Sequence, residues 1–174
     1  MRIIAGQFKN QTVASPRSSQ THPMSEQVRG AIFNTLGDIE GLTMLDCFAG
    51  SGAVGLEALS RGADSVTFID NDRLAQRTIA DNLANLKVAN QAKLIKTGVG
   101  NWLQTDADSY DIIVADPPYD DIPLSLLPRL IEHLNPDGTF VLSWPGKQPL
   151  PAMPAALILT RHYGDAQLAY YQIA

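Results

Sequence analysis

Residues 43–62 read TMLDCFAGSGAVGLEALSRG, and the class of the fold turns on this stretch. Thr43–Ala49 is apolar apart from Thr43 and Asp46, as suits a strand buried on both faces. Gly50-Ser51-Gly52 closes it with residues that accept a tight turn. Ala53–Arg61 then has helical spacing, with Val54, Leu56, Ala58 and Leu59 apolar and Gly62 placed to stop the helix. Gly50, Gly52 and Gly55 make a formal G-x-G-x-x-G between strand and helix, which lets a backbone approach a ligand seated over the helix N-terminus. Asp70 ends the next strand, Val66–Ile69, twenty residues after Gly50. A carboxylate there can accept hydrogen bonds from both hydroxyls of a ribose. The pair points to a nucleoside cofactor, and nicotinamide enzymes carry the same pattern. Asp46 tilts the choice, because an acid just ahead of the loop repels a pyrophosphate and suits a cationic or amine-bearing ligand.

Working outward, strands and helices alternate, the signature of a mostly parallel sheet covered by helices. Asp72–Lys87 is a helix with Leu74, Ile79, Leu83 and Leu86 near one face. Lys93–Lys96 and Tyr110–Ala115 read as the third and fourth strands. Pro123–Leu134 reads as a helix with proline in its first turn, and Gly138–Trp144 as a fifth strand after the turn Asn135–Gly138. Ala156–Tyr163 and Gln167–Ile173 flank Gly164-Asp165 as an antiparallel hairpin. Near the N-terminus, Arg2–Ala5 and Gln11–Ala14 can pair across Gly6–Asn10. Ser25 can cap a helix to Leu36 whose inner face is Val28, Ala31, Ile32, Thr35 and Leu36. The expected fold is α/β, a mostly parallel seven-stranded sheet ending in an antiparallel hairpin, with a small N-terminal hairpin-plus-helix extension. Residues 1–40 are expected to form that extension beside the sheet's carboxyl edge, covering substrate and cofactor, and residues 41–174 the main domain.

The chain has 174 residues, 45% of them hydrophobic, enough for one core. Its net charge of −5 argues against coating nucleic acid by charge alone. The charge is uneven: residues 1–29 hold Arg2, Lys9, Arg17 and Arg29 against Glu26, a net of +3, and the remainder carries −8. Such an arm can meet an anion. A single cysteine, Cys47, excludes an intramolecular disulfide and a multi-cysteine zinc site. It reads as a small buried hydrophobe. His133 and His162 lack ligand spacing and read as structural or solvated, so no metal is expected. Trp102 and Trp144 read as core. No segment has the length of a signal peptide's apolar core or of a membrane span, so the expected location is cytoplasmic.

Asp116-Pro117-Pro118-Tyr119 closes the fourth strand, at the edge where open α/β sheets place ligands. Two prolines stiffen the turn and fix the directions of the Asp116 side chain and of the carbonyls. An amine conjugated to a ring is a poor nucleophile, because its lone pair is delocalised. Acceptors from Asp116 and the Pro117 carbonyl can bind its hydrogens, turn the lone pair toward a methyl donor and offset the developing positive charge. Tyr119 can stack on the base plane.

Asp46–Gly52 with Asp116–Tyr119 resembles the class I methyltransferases that act on planar amines. The whole chain resembles the RsmD family, guanine-N2 methyltransferases of small-subunit 16S ribosomal RNA. The likeness runs through RIIAG at Arg2–Gly6, Pro23, Val28-Arg29, Phe33-Asn34, the phrase LDCFAGSGAVGLEALSRGA, and ADPPY at Ala115–Tyr119. It implies a Rossmann-like fold with S-adenosylmethionine as cofactor, held by Asp46, Phe48, Ala49, Gly50, Gly52, Asp70, Asn71, Gly98 and Asp116. It implies a catalytic turn of Asp116, Pro117 and Tyr119 that holds the guanine. Arg2, Lys9, Arg17, His22, Arg29 and Lys147 are the candidate RNA contacts. The partner implied is 16S ribosomal RNA within the small subunit or an assembly intermediate, and nothing demands more than a monomer. Thr21–Gln27 drops two arginines usual in the family, so weak binding to naked RNA is expected. Gly98 stands where the family often has an acid or amide for the adenine amine, leaving Asn101 or a backbone group to serve. Asp70 stands for the commoner glutamate. The four-residue turn by itself also admits adenine N6, cytosine N4 or a glutamine amide as target. A nicotinamide oxidoreductase and a non-catalytic RNA-binding module remain the alternatives from other classes.

Overall fold

The computed structural model describes residues 1–16, 24–105, 108–120 and 124–173. Side-chain alternation sorts the central strands. In β1 (Thr43–Cys47), Met44 faces one core, while Leu45 and Cys47 face the other. β1 pairs in parallel with β2 (Ser65–Ile69) on one side and β4 (Tyr110–Ala115) on the other. β3 (Ala92–Ile95) continues beyond β2, and β5 (Leu134–Pro145) beyond β4. The closing hairpin, β6 (Ala156–Tyr163) and β7 (Ala166–Gln172), adds antiparallel, giving the order β3-β2-β1-β4-β5-β7-β6. This is the expected α/β, seven-stranded class I methyltransferase fold. The chain leaves β1 toward β2 and later returns to β1's other side as β4. That reversal opens a crevice at the carboxyl ends of β1 and β4.

Helices α1 (Glu26–Leu36), α2 (Ala53–Ser60) and α3 (Arg73–Leu86) are joined by two short ones, α4 (Val99–Trp102) and α5 (Leu127–Leu130). Ser25 caps α1 as expected, its hydroxyl accepting from Val28 N–H at 3.2 Å. Asp72 caps α3 by accepting from the N–H groups of Leu74 and Ala75. One face of the sheet packs on α1, α2, α3 and the N-terminal segment, and the other, which carries Trp144, on α4 and α5. Trp102 belongs to that second core, packed on His133 at 4.6 Å between ring centroids. Among the described residues, no helix is long and apolar enough to cross a membrane.

Three expectations change. β5 starts at Leu134, absorbing the turn at residues 135–138 through an irregular register with β4. Gly138 permits this: a Cβ there would lie 2.8 Å from the Asn135 carbonyl oxygen. The helix placed at Pro123–Leu134 is one turn, Leu127–Leu130, followed by a 3₁₀ turn over Ile131–His133. Pro128 occupies its first turn, and Pro123 lies outside the described residues. The N-terminal hairpin forms, with backbone hydrogen bonds joining Met1 to Val13 and Ile3 to Gln11 on either side of the Arg2–Thr12 bridge, but it runs along α2 instead of sitting wholly at the carboxyl edge. Its turn meets the far end of α2, where Gln7 N–H donates to the Ser60 carbonyl at 2.7 Å. Among the described residues of the segment, Met1 and Ala14 hydrogen-bond the glycine loop and α3: Met1 Sδ accepts from the Ser51 hydroxyl, and Ala14 pairs with Asn82.

This covering explains why all eight residues of α2 are buried. The sheet takes one side and the N-terminal segment the other. Glu57 on α2 is fully buried and accepts from Ile4 N–H at 2.8 Å, Ala5 N–H at 3.0 Å and Arg61 Nε at 2.8 Å. Arg29 Nε stands 3.6 Å from the same carboxylate. A carboxylate out of water persists only with such donors around it.

α2 lies close on β2 because Gly55 has no side chain: a Cβ there would sit 2.2 Å from Phe68 Cε1. Gly55→Ala is expected to destabilise the protein by about 1–3 kcal/mol through overpacking. Gly30→Ala, inside α1 with only Ile4 Cδ1 at an ordinary 3.6 Å, is expected to stabilise by about 0.5–1 kcal/mol. Urea unfolding midpoints at unchanged slope read both; equal shifts of one sign would contradict this packing.

Candidate active site at the carboxyl edge

Register decides which side chains meet. Cys47 pairs with Ile69 and with Ala115, Ile69 with Ile95, and Ala115 with Leu142. One residue further along each strand stand Phe48, Asp70, Lys96, Asp116 and Ser143. They form a row along the carboxyl edge, with the glycine loop and the Asp116 turn flanking the crevice between β1 and β4.

The loop is built from alternating left-handed residues: Phe48 (φ 58°), Gly50 (φ 56°) and Gly52 (φ 75°). For Phe48, which has a Cβ, that conformation costs about 1–2 kcal/mol. Two carboxylates hold the path. Gly50 N–H donates to Asp70 Oδ2 at 2.7 Å, and Gly55 N–H donates to Asp46 Oδ2 at 2.9 Å. Asp70 Oδ1 also accepts from Asp72 N–H at 2.8 Å. Both Asp70 oxygens are thus oriented by backbone, and each keeps a lone pair for another donor. Ala49 N–H donates to the Ile69 carbonyl at 3.0 Å, tying the loop to β2. Asn71 follows Asp70 on the surface.

Asp46 is buried at 2% exposure, beneath the loop and not on it. Burial pushes its carboxyl well above the usual range, against the Gly55 N–H, with Asp116 and Asp70 adding repulsion. Asp116 is pushed up as well by burial, against a hydrogen bond from Ser143. Gly98 opens α4, and a Cβ there would meet nothing within 4 Å, so the wall is open at that point. Asn101, the alternative for an adenine contact, turns its amide to Thr97 Oγ1 at 3.4 Å. The donors and acceptors suit a nucleoside: an oriented carboxylate for ribose hydroxyls, a loop whose Gly50 and Gly52 bare the backbone, and an open wall at Gly98.

In the Asp116 turn, Pro117 is buried, while Pro118 and Tyr119 are exposed, Tyr119 at 37%. Tyr119 Oη lies 3.0 Å from Ser143 Oγ. Ser143 is 3% exposed, and one step beyond the Ala115–Leu142 pair it stands beside Asp116 and lowers that carboxyl's pKa against the rise from burial. Sequence reasoning missed it, though a lone hydroxyl at the end of the apolar run Phe140–Trp144 was the available signal.

The basic residues scatter. Arg29 is the clear correction: at 1% exposure its guanidinium faces Glu57 and donates to the Arg2 carbonyl at 2.6 Å, inside the protein and away from any phosphate. Its spacing from Phe33, also buried, puts it on the inner stripe of α1. Arg2 is exposed and paired with Glu26 at 3.4 Å. Lys9 lies on the turn beside the Ser60 end of α2, the end opposite the glycine loop. A cleft of about 530 Å³ near there, lined by Gly6, Gln7, Arg61, Gly62 and Gln91 among others, holds none of the expected site residues. Lys147 is exposed at the carboxyl end of β5, on the same edge as Asp116. Lys96 and Arg73 are exposed basic residues of that edge that the sequence reading did not pick out. Arg17 and His22 lie outside the described residues.

Residues 1–172 match the family described as "Conserved hypothetical protein 95". Ribosomal RNA small subunit methyltransferase D of Escherichia coli K12 is 34% identical over 174 residues, covering 98% of this chain and 87% of that protein. The Bacillus subtilis protein YlbH is 33% identical over 181 residues, covering 99% of this chain and 98% of its own length. The solved structure of the Escherichia coli protein yhhF superposes with a TM-score of 0.89 at 31% identity, over 99% of this chain and 97% of that one.

Cys47 lies under the loop, fully buried, and burial with the Asp46 charge pushes its thiol pKa well up. Thiol reagents are expected to leave it unmodified in the native protein at neutral pH and to label it at the rate of opening. Rapid stoichiometric labelling without denaturant would show that the loop does not seal β1.

Proposed function

The chain belongs to the conserved hypothetical protein 95 family, with ribosomal RNA small subunit methyltransferase D among its relatives, and on that premise we propose that it methylates the exocyclic N2 amine of a guanine in 16S ribosomal RNA. The methyl donor of this class of enzyme is S-adenosylmethionine. The chemistry such a cofactor supplies is a methyl group on a cationic sulfur, open to in-line attack. Asp70 accepts the ribose hydroxyls, and Gly50 and Gly52 let the loop backbone come close, with Phe48, Ala49 and Asn71 beside them. Gly98 lines the adenine side. Asp46 braces the loop from below through Gly55 N–H, and a cationic cofactor held at the loop would favour its ionised form.

The observation that carries the reading is the placing of Asp116 beside Asp46 and Asp70, on the far lip of the same crevice. There it can accept hydrogens from an amine presented toward the cofactor. Pro117 fixes its carbonyl as a second acceptor, and the exposed Tyr119 ring offers a stacking face for an unpaired base. The amine's lone pair is thereby freed for the methyl, and Asp116 offsets the positive charge that forms on nitrogen. No covalent enzyme intermediate is required.

The phosphate-facing set at this edge is thin. Of the described candidates only Lys147 stands there, joined by Lys96 and Arg73, with Arg17 and His22 beyond description. Few phosphate contacts give weak, salt-sensitive binding to naked RNA. A substrate within the assembling small subunit, and hence a cytoplasmic site of action, fits this better than free RNA.

Asp70→Ala is expected to weaken S-adenosylhomocysteine binding by about 10- to 100-fold by calorimetry. Asp116→Asn is expected to lower methyl transfer by about 100-fold or more while reducing that binding far less. The target is tested by offering methyl-labelled cofactor with small subunits, naked ribosomal RNA and DNA in parallel. Label at guanine N2 in subunit RNA is expected; label on DNA alone, or nowhere, overturns the reading.

A further inference from the structure

Asn82 is the polar member of an otherwise apolar stripe. With Ala75, Ile79, Leu83 and Leu86 it is buried on the core face of α3, at 1% exposure. An amide taken out of water there is costly unless its hydrogen bonds are met. Asn82 Oδ1 accepts from Ala14 N–H at 2.8 Å, and Nδ2 donates to the Ala14 carbonyl at 3.0 Å and to the Ser51 carbonyl at 3.4 Å. Turned over, the amide would set hydrogens against the Ala14 N–H and oxygen against two carbonyls, so these partners admit one orientation. One side chain thus joins the N-terminal segment, 68 residues before it, to the glycine loop, 31 before it. Ile79, one turn earlier on α3, supports the same loop: a Cβ on Gly52 would lie 3.1 Å from its Cγ1. The peptide plane is rigid, so a Ser51 carbonyl drawn toward α3 turns Gly52 N–H the opposite way, onto the Ala49 carbonyl at 2.7 Å. That bond closes the turn.

We propose that Asn82 is a positioning residue of the cofactor site, one that sets the Gly50–Gly52 loop and makes docking of the N-terminal segment and binding of cofactor depend on each other. It rests on the proposed seating of S-adenosylmethionine against that loop and on nothing about the RNA target. The segment reaches the loop a second time through Met1, whose Sδ accepts from the Ser51 hydroxyl at 3.6 Å. With the segment docked, Ala14 holds the Asn82 amide edge-on, and both amide hydrogens are committed. With the segment away, the amide loses two of these three bonds and is free to leave Ser51, which loosens the loop. Coupling is reciprocal: whatever factor docking adds to cofactor affinity, cofactor adds to docking. Core contacts of Ile3 and Val13 then contribute to cofactor affinity.

Two variants approach the link from either side. Asn82→Asp keeps the size and the acceptor for Ala14 N–H but sets oxygen against the carbonyls of Ala14 and Ser51. Ala14→Pro deletes the N–H on the segment, at an exposed position, and changes no residue of α3 or the loop. Without ligand, the Gly52 amide resonance is expected to move in Ala14→Pro, while that of Thr160 in β6 stays. By calorimetry, each folded variant should bind S-adenosylhomocysteine about 10-fold more weakly, and the double variant no more weakly than either. In wild type, saturating S-adenosylhomocysteine should slow hydrogen exchange at Val13 and Ala14 by about 10-fold beyond its effect on Thr160, an excess that Asn82→Asp abolishes. A side chain that only fills the core would lower the unfolding midpoint and leave the affinity of the folded protein unchanged. Unchanged affinity in folded Ala14→Pro overturns the proposal, as does an unmoved Gly52 resonance or the lack of excess slowing in wild type that binds. If Gly52 moves but wild type binds no S-adenosylhomocysteine, the link from segment to loop stands and the cofactor assignment falls.

Discussion

The carboxyl edge depends on two hydrogen bonds from loop amides to strand carboxylates, Gly50 to Asp70 and Gly55 to Asp46. Neither acid could do the other's work. Asp70 stands one residue past its strand, partly exposed, so it can orient the loop and still receive a ligand. Asp46 lies inside its strand, out of water, and holds the first turn of α2 from beneath. With both in place, the loop passes through three left-handed residues, and α2 leaves over the sheet with Gly55 against Phe68. The direction of α2 then decides where Glu57 points, and Glu57 in turn receives the N-terminal segment. A binding loop and the seating of the chain's first residues thus share one mechanical origin.

How much of this the sequence made legible follows from the range of each interaction. The glycine loop, Asp70 and the Asp116 turn are local patterns at strand ends, and the order of strands and helices follows from periodicity. The seven-stranded fold could therefore be written down in advance. Glu57 was not singled out, because periodicity shows one buried stripe and cannot show a second cover arriving from residues fifty positions away. Arg29 was taken for an RNA contact for the same reason: nothing near it in sequence announces a buried carboxylate. Ser143 escaped because its hydrogen-bond partner, Tyr119, comes from the turn after a different strand. The start of β5 was misplaced since Asn135–Gly138 has turn chemistry, and only the neighbouring β4 makes extended pairing the better use of those backbone groups.

The electrostatics change accordingly. By composition the first 29 residues carry a net +3. In three dimensions Arg29 is spent inside the protein on Glu57, Arg2 pairs with Glu26, and Lys9 sits at the wrong end of α2. The described part of the arm therefore works chiefly as structure, sealing α2. Positive charge at the crevice comes instead from residues dispersed through the acidic part of the chain. A count along the sequence and a count along the edge name different lysines and arginines.

The seating of the first residues on Glu57 also sets an order of events during synthesis. Ile4 and Ala5 find their acceptor 53 and 52 residues downstream, and Ala14 finds Asn82 68 residues on. This segment precedes its acceptors in synthesis, and they take their places only once β1, α2, β2 and α3 have left the ribosome and packed. Until then, Arg29 stays hydrated and the apolar side chains Ile3 and Val13 stay in water. Growth of the chain from its N-terminus and consolidation of its fold therefore run in opposite directions at this end of the molecule. The segment of Ile3–Val13 closes over α2 only after the β1–β2 half of the sheet exists.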